Sequence, residues 1–164
     1  MIPVEVVGVR VEMPSNQPIV LLKEIEGVRF LPIWVGAVEA SAIAFAQQGV
    51  EPPRPLTHDL MKELLEGLGG SLISVELTEL RDGVFYANLN VKSASNRDIV
   101  ISARPSDAIA LALRKHRPIV AHLVHLAEAG IESRMEDKDQ ANEEVERFRE
   151  MLTNINREEM ERRR

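Results

Sequence analysis

The chain opens on an alternation of apolar and polar positions. Within Val4 to Met13, Val7, Val9, Val11 and Met13 share one parity and Gly8, Arg10 and Glu12 the other, the period of a strand. Pro14-Ser15-Asn16-Gln17-Pro18 supplies turn residues, and Ile19 to Glu24 predicts a returning strand. Glu26-Gly27 turns the chain into a third strand, Val28 to Val35, which carries the single tryptophan, Trp34. An antiparallel meander is expected. The period then changes. Gly36 to Gln48 is rich in alanine (Ala37, Ala40, Ala42, Ala44, Ala46) and predicts a helix, with Glu39 in its first turn and Gly49 as its stop.

Three prolines in Glu51-Pro52-Pro53-Arg54-Pro55-Leu56 make a stiff extended loop. Thr57 is then placed to cap a second helix, with His58 and Asp59 in its first turn and Leu60, Leu64, Leu65 and Leu68 as the expected buried stripe. Ile73, Val75 and Leu77 alternate with polar residues, as do Phe85, Ala87, Leu89 and Val91. With Arg81-Asp82-Gly83 between the two runs, they predict a β-hairpin. Asp98 to Ser102 is a short strand leading to Arg104-Pro105-Ser106-Asp107, a helix entrance in which Ser106 is the expected N-cap and Asp107 complements the dipole. The residues that follow, through Leu113, are only Ala, Ile and Leu, so this third helix is expected to be buried on nearly every side. Lys115-His116-Arg117-Pro118 ends it, and Ile119 to Ala121 predicts a short strand.

The fold class is α+β: a meander and a hairpin packed with short buried helices, followed by a helical tail. A compact domain is expected over residues 1–131, where Ala129-Gly130-Ile131 precedes a shift to charged composition, and a charged tail over 132–164. In the tail, Val145, Phe148, Leu152 and Ile155 form one apolar stripe that calls for a protein partner, a second copy or the domain itself.

Composition narrows the function. The net charge of −6 argues against broad non-specific nucleic-acid binding while leaving room for a local phosphate site. The lack of cysteine removes disulfides and thiolate zinc sites and, with no signal peptide or membrane-length apolar run visible, leads to an expected cytoplasmic location. His122 and His125, three apart, would share a helix face and could ligate a metal, although no carboxylate lies in register with them.

Several stretches together resemble the bifunctional nuclease domain family. They are Leu31-Pro32-Ile33-Trp34-Val35-Gly36 with Glu39-Ala40 and Ala42-Ile43-Ala44, Pro53-Arg54-Pro55-Leu56-Thr57-His58-Asp59-Leu60, the Asp82–Ala87 hairpin, and Arg104-Pro105-Ser106-Asp107 through Ala112. The likeness spans roughly residues 1–131. Around Glu143 to Glu150 the tail is similar to a degenerate UVR helical motif of the UvrB/UvrC type. The resemblance implies an α+β fold, homodimers or larger homo-oligomers, and nuclease activity on DNA and RNA. One departure is Ser102, where the family often has an aspartate.

Phosphodiester hydrolysis needs an activated water, stabilisation of phosphoryl charge and usually a metal held by carboxylates. The polar residues at the three helix starts offer such a set. Glu39, Asp59 and Asp107 are the expected ligands of a divalent ion such as Mg²⁺. His58 is the expected acid or base, and Arg54 and Arg104 the expected phosphate contacts. Two other readings stay open: a non-catalytic regulatory or protein-binding module, in which the same charges are structural ion pairs, and binding of a small anionic metabolite.

Overall fold

The computed structural model describes residues 1–122 and the backbone strand at 131–132. The elements run β1 (Ile2–Glu12), β2 (Gln17–Glu24), β3 (Arg29–Trp34), α1 (Ala37–Gln48), α2 (Thr57–Gly67), β4 (Ser71–Arg81), β5 (Val84–Lys92), β6 (Asp98–Ala103), α3 (Pro105–Lys115), β7 (Ile119–Ala121) and β8 (Ile131–Glu132). This is the α+β class expected. The His125, tail-stripe and UVR-like readings lie outside the described residues.

The meander and the hairpin do not form separate sheets. They join in one sheet of order β6-β5-β4-β7-β1-β2-β3-β8. The link is β7, whose Ile119 pairs with Val4 of β1 in antiparallel sense and with Val75 of β4 in parallel sense. A parallel pair needs a crossover, and β5, β6 and α3 together supply one between β4 and β7. The period of the chain carries no mark of this one parallel contact.

The helices line one face. α1 lies over β1 and β2, α3 over β4 and β5, and α2 packs on α3. Between the layers sits an aliphatic core that includes Val20, Leu22, Leu31, Ile43, Leu72, Val75, Leu77 and Ile109. Gly49 ends α1 at φ 65°, and the hairpin turn sets Asp82 and Gly83 at φ 51° and 77°, the two positive values a type I′ turn requires. The third helix is buried from Pro105 to Ala112 except at Asp107, as expected.

Two expectations about which side faces inward are corrected. In β1 a bulge between Val6 and Gly8 resets the alternation, so Val4 and Val9 are buried while Val7 faces out. In α2 only Leu65 of the expected leucine stripe faces inward: Leu60, Leu64 and Leu68 are exposed, and His58 and Met61 share the inner side with Leu65. The helix is rotated so that His58 meets α3, and an aliphatic count alone gives no sign of that. The caps differ too. Arg104, not Ser106, is the N-cap of α3, with Pro105 first in the helix and Ser106 buried; Leu56, not Thr57, stands at the N-cap of α2.

This orientation of α2 is directly testable. Leu64→Gln is expected to change unfolding free energy by less than about 0.5 kcal/mol, as exposed substitutions do. Leu65→Ala is expected to cost about 2 kcal/mol. Chemical denaturation of the two variants measures both; the reverse order would restore the leucine row to the core.

Candidate functional site

Each helix carries an acid at its third position: Glu39 after the N-cap Gly36, Asp59 after Leu56 and Asp107 after Arg104. A carboxylate there is favoured by the helix dipole and by the unpaired N–H groups of the first turn. Local chemistry therefore explains why the three acids exist. What each does depends on the side chains that reach it from other elements.

Asp107 and Glu39 meet at Arg104. Arg104 Nε donates to Asp107 Oδ2 at 2.7 Å and Nη2 to Asp107 Oδ1 at 3.0 Å, a bidentate fork. The same Nη2 lies 2.9 Å from Glu39 Oε1. From α2, His58 Nε2 stands 2.8 Å from Asp107 Oδ1. An ionised carboxylate only accepts, so His58 donates through Nε2–H and a neutral ring keeps its lone pair on Nδ1. Glu39, Arg104, Asp107 and His58 thus form one connected network across the starts of all three helices. The two ends of this network are unequal: the imidazole is 6% exposed and the guanidinium 65%. Among the described residues Arg104 Nη1 has no protein partner.

The charges are mutually supported. Burial pushes the Asp107 carboxyl up, but hydrogen bonds from Arg104 and His58, with their charges, outweigh it and hold the group below its ordinary value. The hydrogen bond to Asp107, its charge and the Glu39 contact raise Arg104 further.

The expected set is divided. Asp59 leaves the network: its Oδ2 accepts the Leu56 N–H at 3.0 Å and its Oδ1 takes Arg114 Nε at 2.7 Å. Arg114 is a residue that the sequence reading did not single out. Its side chain is 8% exposed, and Nη1 donates at 3.0 Å to both Ala42 O of α1 and Ala110 O of α3. Its place two turns after Asp107 in an otherwise apolar helix was the signal that it faces inward. Burial raises Asp59, but Arg114 and the Leu56 N–H outweigh it and leave this carboxyl lowered as well.

Arg54 is also apart from Arg104. It lines a cleft of about 640 Å³ with Pro53, Asp59, Lys62, Arg114 and His116, and none of the four networked residues borders that cleft. The two arginines therefore do not clamp one phosphate. Nor do Glu39, Asp59 and Asp107 assemble as ligands: Asp59 is claimed by Arg114, and the Arg104 guanidinium bridges the other two. Among the described residues no group of three or more His, Asp or Glu side chains is placed to hold a metal. The residues as arranged do not fit the expected ion. Ser102 pairs with Asn88 across the sheet, while its neighbour Ala103 pairs with buried Ala87 on the helix side. A side chain at 102 therefore points to the face away from the helices, and an aspartate there would sit opposite Asn88.

The family described as the bifunctional nuclease domain matches residues 20–134, and the chain belongs to that family. It is 50% identical over 157 residues, 93% of each chain, to the uncharacterized protein Rv1829 of Mycobacterium tuberculosis. Similarity extends to bifunctional nuclease 1 of Oryza sativa subsp. japonica, 32% identical over 106 residues, and of Arabidopsis thaliana, 30% over 108. Those matches take in 63% and 64% of this chain but 32% and 33% of the plant proteins. No helix among the described residues is long and apolar enough to cross a membrane.

Two outcomes follow from the buried pairs. Arg114→Ala is expected to destabilise the fold by about 3 kcal/mol by stranding Asp59, and Arg114→Lys to restore little of it, since an ammonium cannot reproduce the fork. Asp59 and Asp107 are both lowered in the folded state, so their contribution is present above about pH 4 and is lost as pH falls through the folded values. Melting curves from pH 7 to pH 3 are expected to fall more steeply for the native chain than for Asp59→Asn.

Proposed function

We propose that this protein is a nuclease that hydrolyses phosphodiester bonds in DNA or RNA at the Glu39–Arg104–Asp107–His58 network. The observation that carries the reading is the network itself, together with membership of a family described as nuclease. Its exposed guanidinium nitrogen, Arg104 Nη1, is the group that meets a non-bridging phosphate oxygen, where a fixed cation stabilises charge developing in the transition state. Glu39, with one carboxylate oxygen not engaged by Arg104, accepts the proton of the attacking water; as the water oxygen bonds to phosphorus the bond to the leaving sugar oxygen breaks, and that oxygen takes its proton from solvent. The buried His58 does not touch substrate in this reading. It is a positioning residue, holding Asp107 so that Asp107 holds Arg104.

A second reading is favoured by one observation: Arg104 is already paired with two carboxylates, which lowers its pull on an added anion. In that case the network is a structural clamp and the protein is a binding module. The Arg54 cleft would then offer Arg54, Lys62 and His116 to a small anionic ligand, against the charge of Glu51, Glu63 and Glu66 on the same lining.

Cleavage assays on single-stranded DNA, double-stranded DNA and RNA, each with Mg²⁺, Mn²⁺ or EDTA, separate the two and report any metal requirement. Arg104→Ala and Glu39→Gln are each expected to lower the rate at least about a hundredfold. His58→Gln, whose amide can reach Asp107 in the same way, is expected to keep most activity with an unchanged pH profile; His58→Ala is expected to lose it. Cleavage undiminished in Arg104→Ala would remove the nuclease assignment from this site.

A further inference from the structure

The stretch Leu31-Pro32-Ile33-Trp34-Val35-Gly36 ends β3 on the single tryptophan of the chain, and the network at the helix starts makes no use of it. Register fixes the side on which that tryptophan stands. Val9, Val20 and Ile33 lie side by side on β1, β2 and β3, and all three are buried on the side that α1 covers. The next row, Arg10, Ile19 and Trp34, therefore points to the face that the helices leave open. Trp34 is 51% exposed there.

The indole is held by its edge. Trp34 Nε1 donates to Glu12 Oε2 at 3.0 Å, which satisfies its one polar group without covering the ring. Tyr86, the other exposed aromatic side chain among the described residues, has Arg81 over its ring at 5.3 Å from the centroid. No cation stands over Trp34 among the described residues. Arg10 belongs to the same row, two strand spacings or about 10 Å away. It has no hydrogen-bond or ion-pair partner among the described side chains. Glu12 shares this face, but its Oε2 is already engaged by Trp34 and Ser15.

We propose that Trp34 is a stacking platform for an unpaired nucleobase and that Arg10 takes a phosphate of the same strand. An indole face accepts any base, and a guanidinium fits phosphate oxygens. The free cation beside the ring selects this occupant over an apolar protein surface. In a duplex both faces of a base are covered by its neighbours, so the ring selects single strands, loops and ends. Trp34 stands two residues before Gly36, the N-cap of α1, and five before Glu39. Five residues span at most about 18 Å, so a base on the ring and a phosphate at the network fit on one short strand. The inference rests on the nuclease reading for its substrate, and narrows that substrate to single-stranded DNA or RNA.

A single tryptophan makes the contact visible. Full-length Glu39→Gln protein, expected to leave substrate uncut, is titrated with a thymidine oligonucleotide, single-stranded or annealed to its complement, while tryptophan emission is followed. Fluorescence polarisation of a labelled copy of the oligonucleotide reports binding independently. The expected result is saturable quenching by the single strand over the range in which polarisation rises, with less of both for the duplex. Trp34→Leu and Arg10→Gln are each expected to weaken single-strand binding about fivefold or more, Trp34→Phe to keep most of it, and Tyr86→Leu to leave it unchanged. Without the Glu39 substitution, Trp34→Leu is expected to raise KM for single strands with little change in kcat. Trp34→Phe and Arg10→Gln cover the case in which leucine disturbs β3. Binding without quenching, equal quenching by the duplex, no single-strand binding, or affinity unchanged in both Trp34→Leu and Arg10→Gln would overturn the proposal. Cleavage by the native chain is scored separately and decides the nuclease reading: quenching without cleavage keeps the platform and removes the nuclease, whereas cleavage without quenching does the reverse.

Discussion

The placement of the three helices depends on one buried cation. Arg114 gives Nε to Asp59 on α2 and Nη1 to backbone carbonyls of both α1 and α3. A guanidinium taken out of water costs several kcal/mol unless its donors find well-aligned acceptors. Here the acceptors come from three different segments, so only one mutual arrangement of those segments meets the requirement. Ala42 is one turn beyond Glu39, and Asp59 is next to His58. Fixing these two points therefore also fixes where Glu39 and His58 stand relative to Asp107.

The same local rule is used three times with different results. An acid at the third position of a helix suits the dipole whatever surrounds it. Asp59 stays with its own helix start and the inner arginine, whereas Glu39 and Asp107 share the outer one. The two arginines divide the acids between a guanidinium that is 8% exposed and one that is 65% exposed, while the carboxylates themselves are similarly covered. Sequence-adjacent His58 and Asp59 fall on opposite sides of this division, because neighbouring positions on a helix point about 100° apart.

Much of the element order was legible because turn chemistry and period are local. Asp82-Gly83, the Ala-rich run ending at Gly49, and the proline after Arg104 each constrain the backbone within a few residues. What was not legible depends on distant partners. The bulge at Val7 is set by pairing with β2, and the rotation of α2 by the contact of His58 with Asp107. Of the six residues expected to act together, Glu39, His58, Arg104 and Asp107 do meet. Asp59 and Arg54 do not, because spacing along the chain cannot show which arginine an acid will face. Arg114 was missed for the same reason: its spacing from Asp107 gave its side of the helix but not the acid and the carbonyls it would meet.

The short strand β7 has a consequence for how the molecule is made. The first strand of the chain is paired on one side by β2, a neighbour in sequence, but on the other by residues 119–121. That second pairing closes a loop of more than a hundred residues, for which loop entropy must be met before the contact is formed. During synthesis the N-terminal meander emerges early and waits, with one side of β1 unpaired, until α3 and β7 have left the ribosome. The two halves of the sheet are thus joined late, by three residues, with only β8 still to pair, and the meander needs protection from stray strands while it waits.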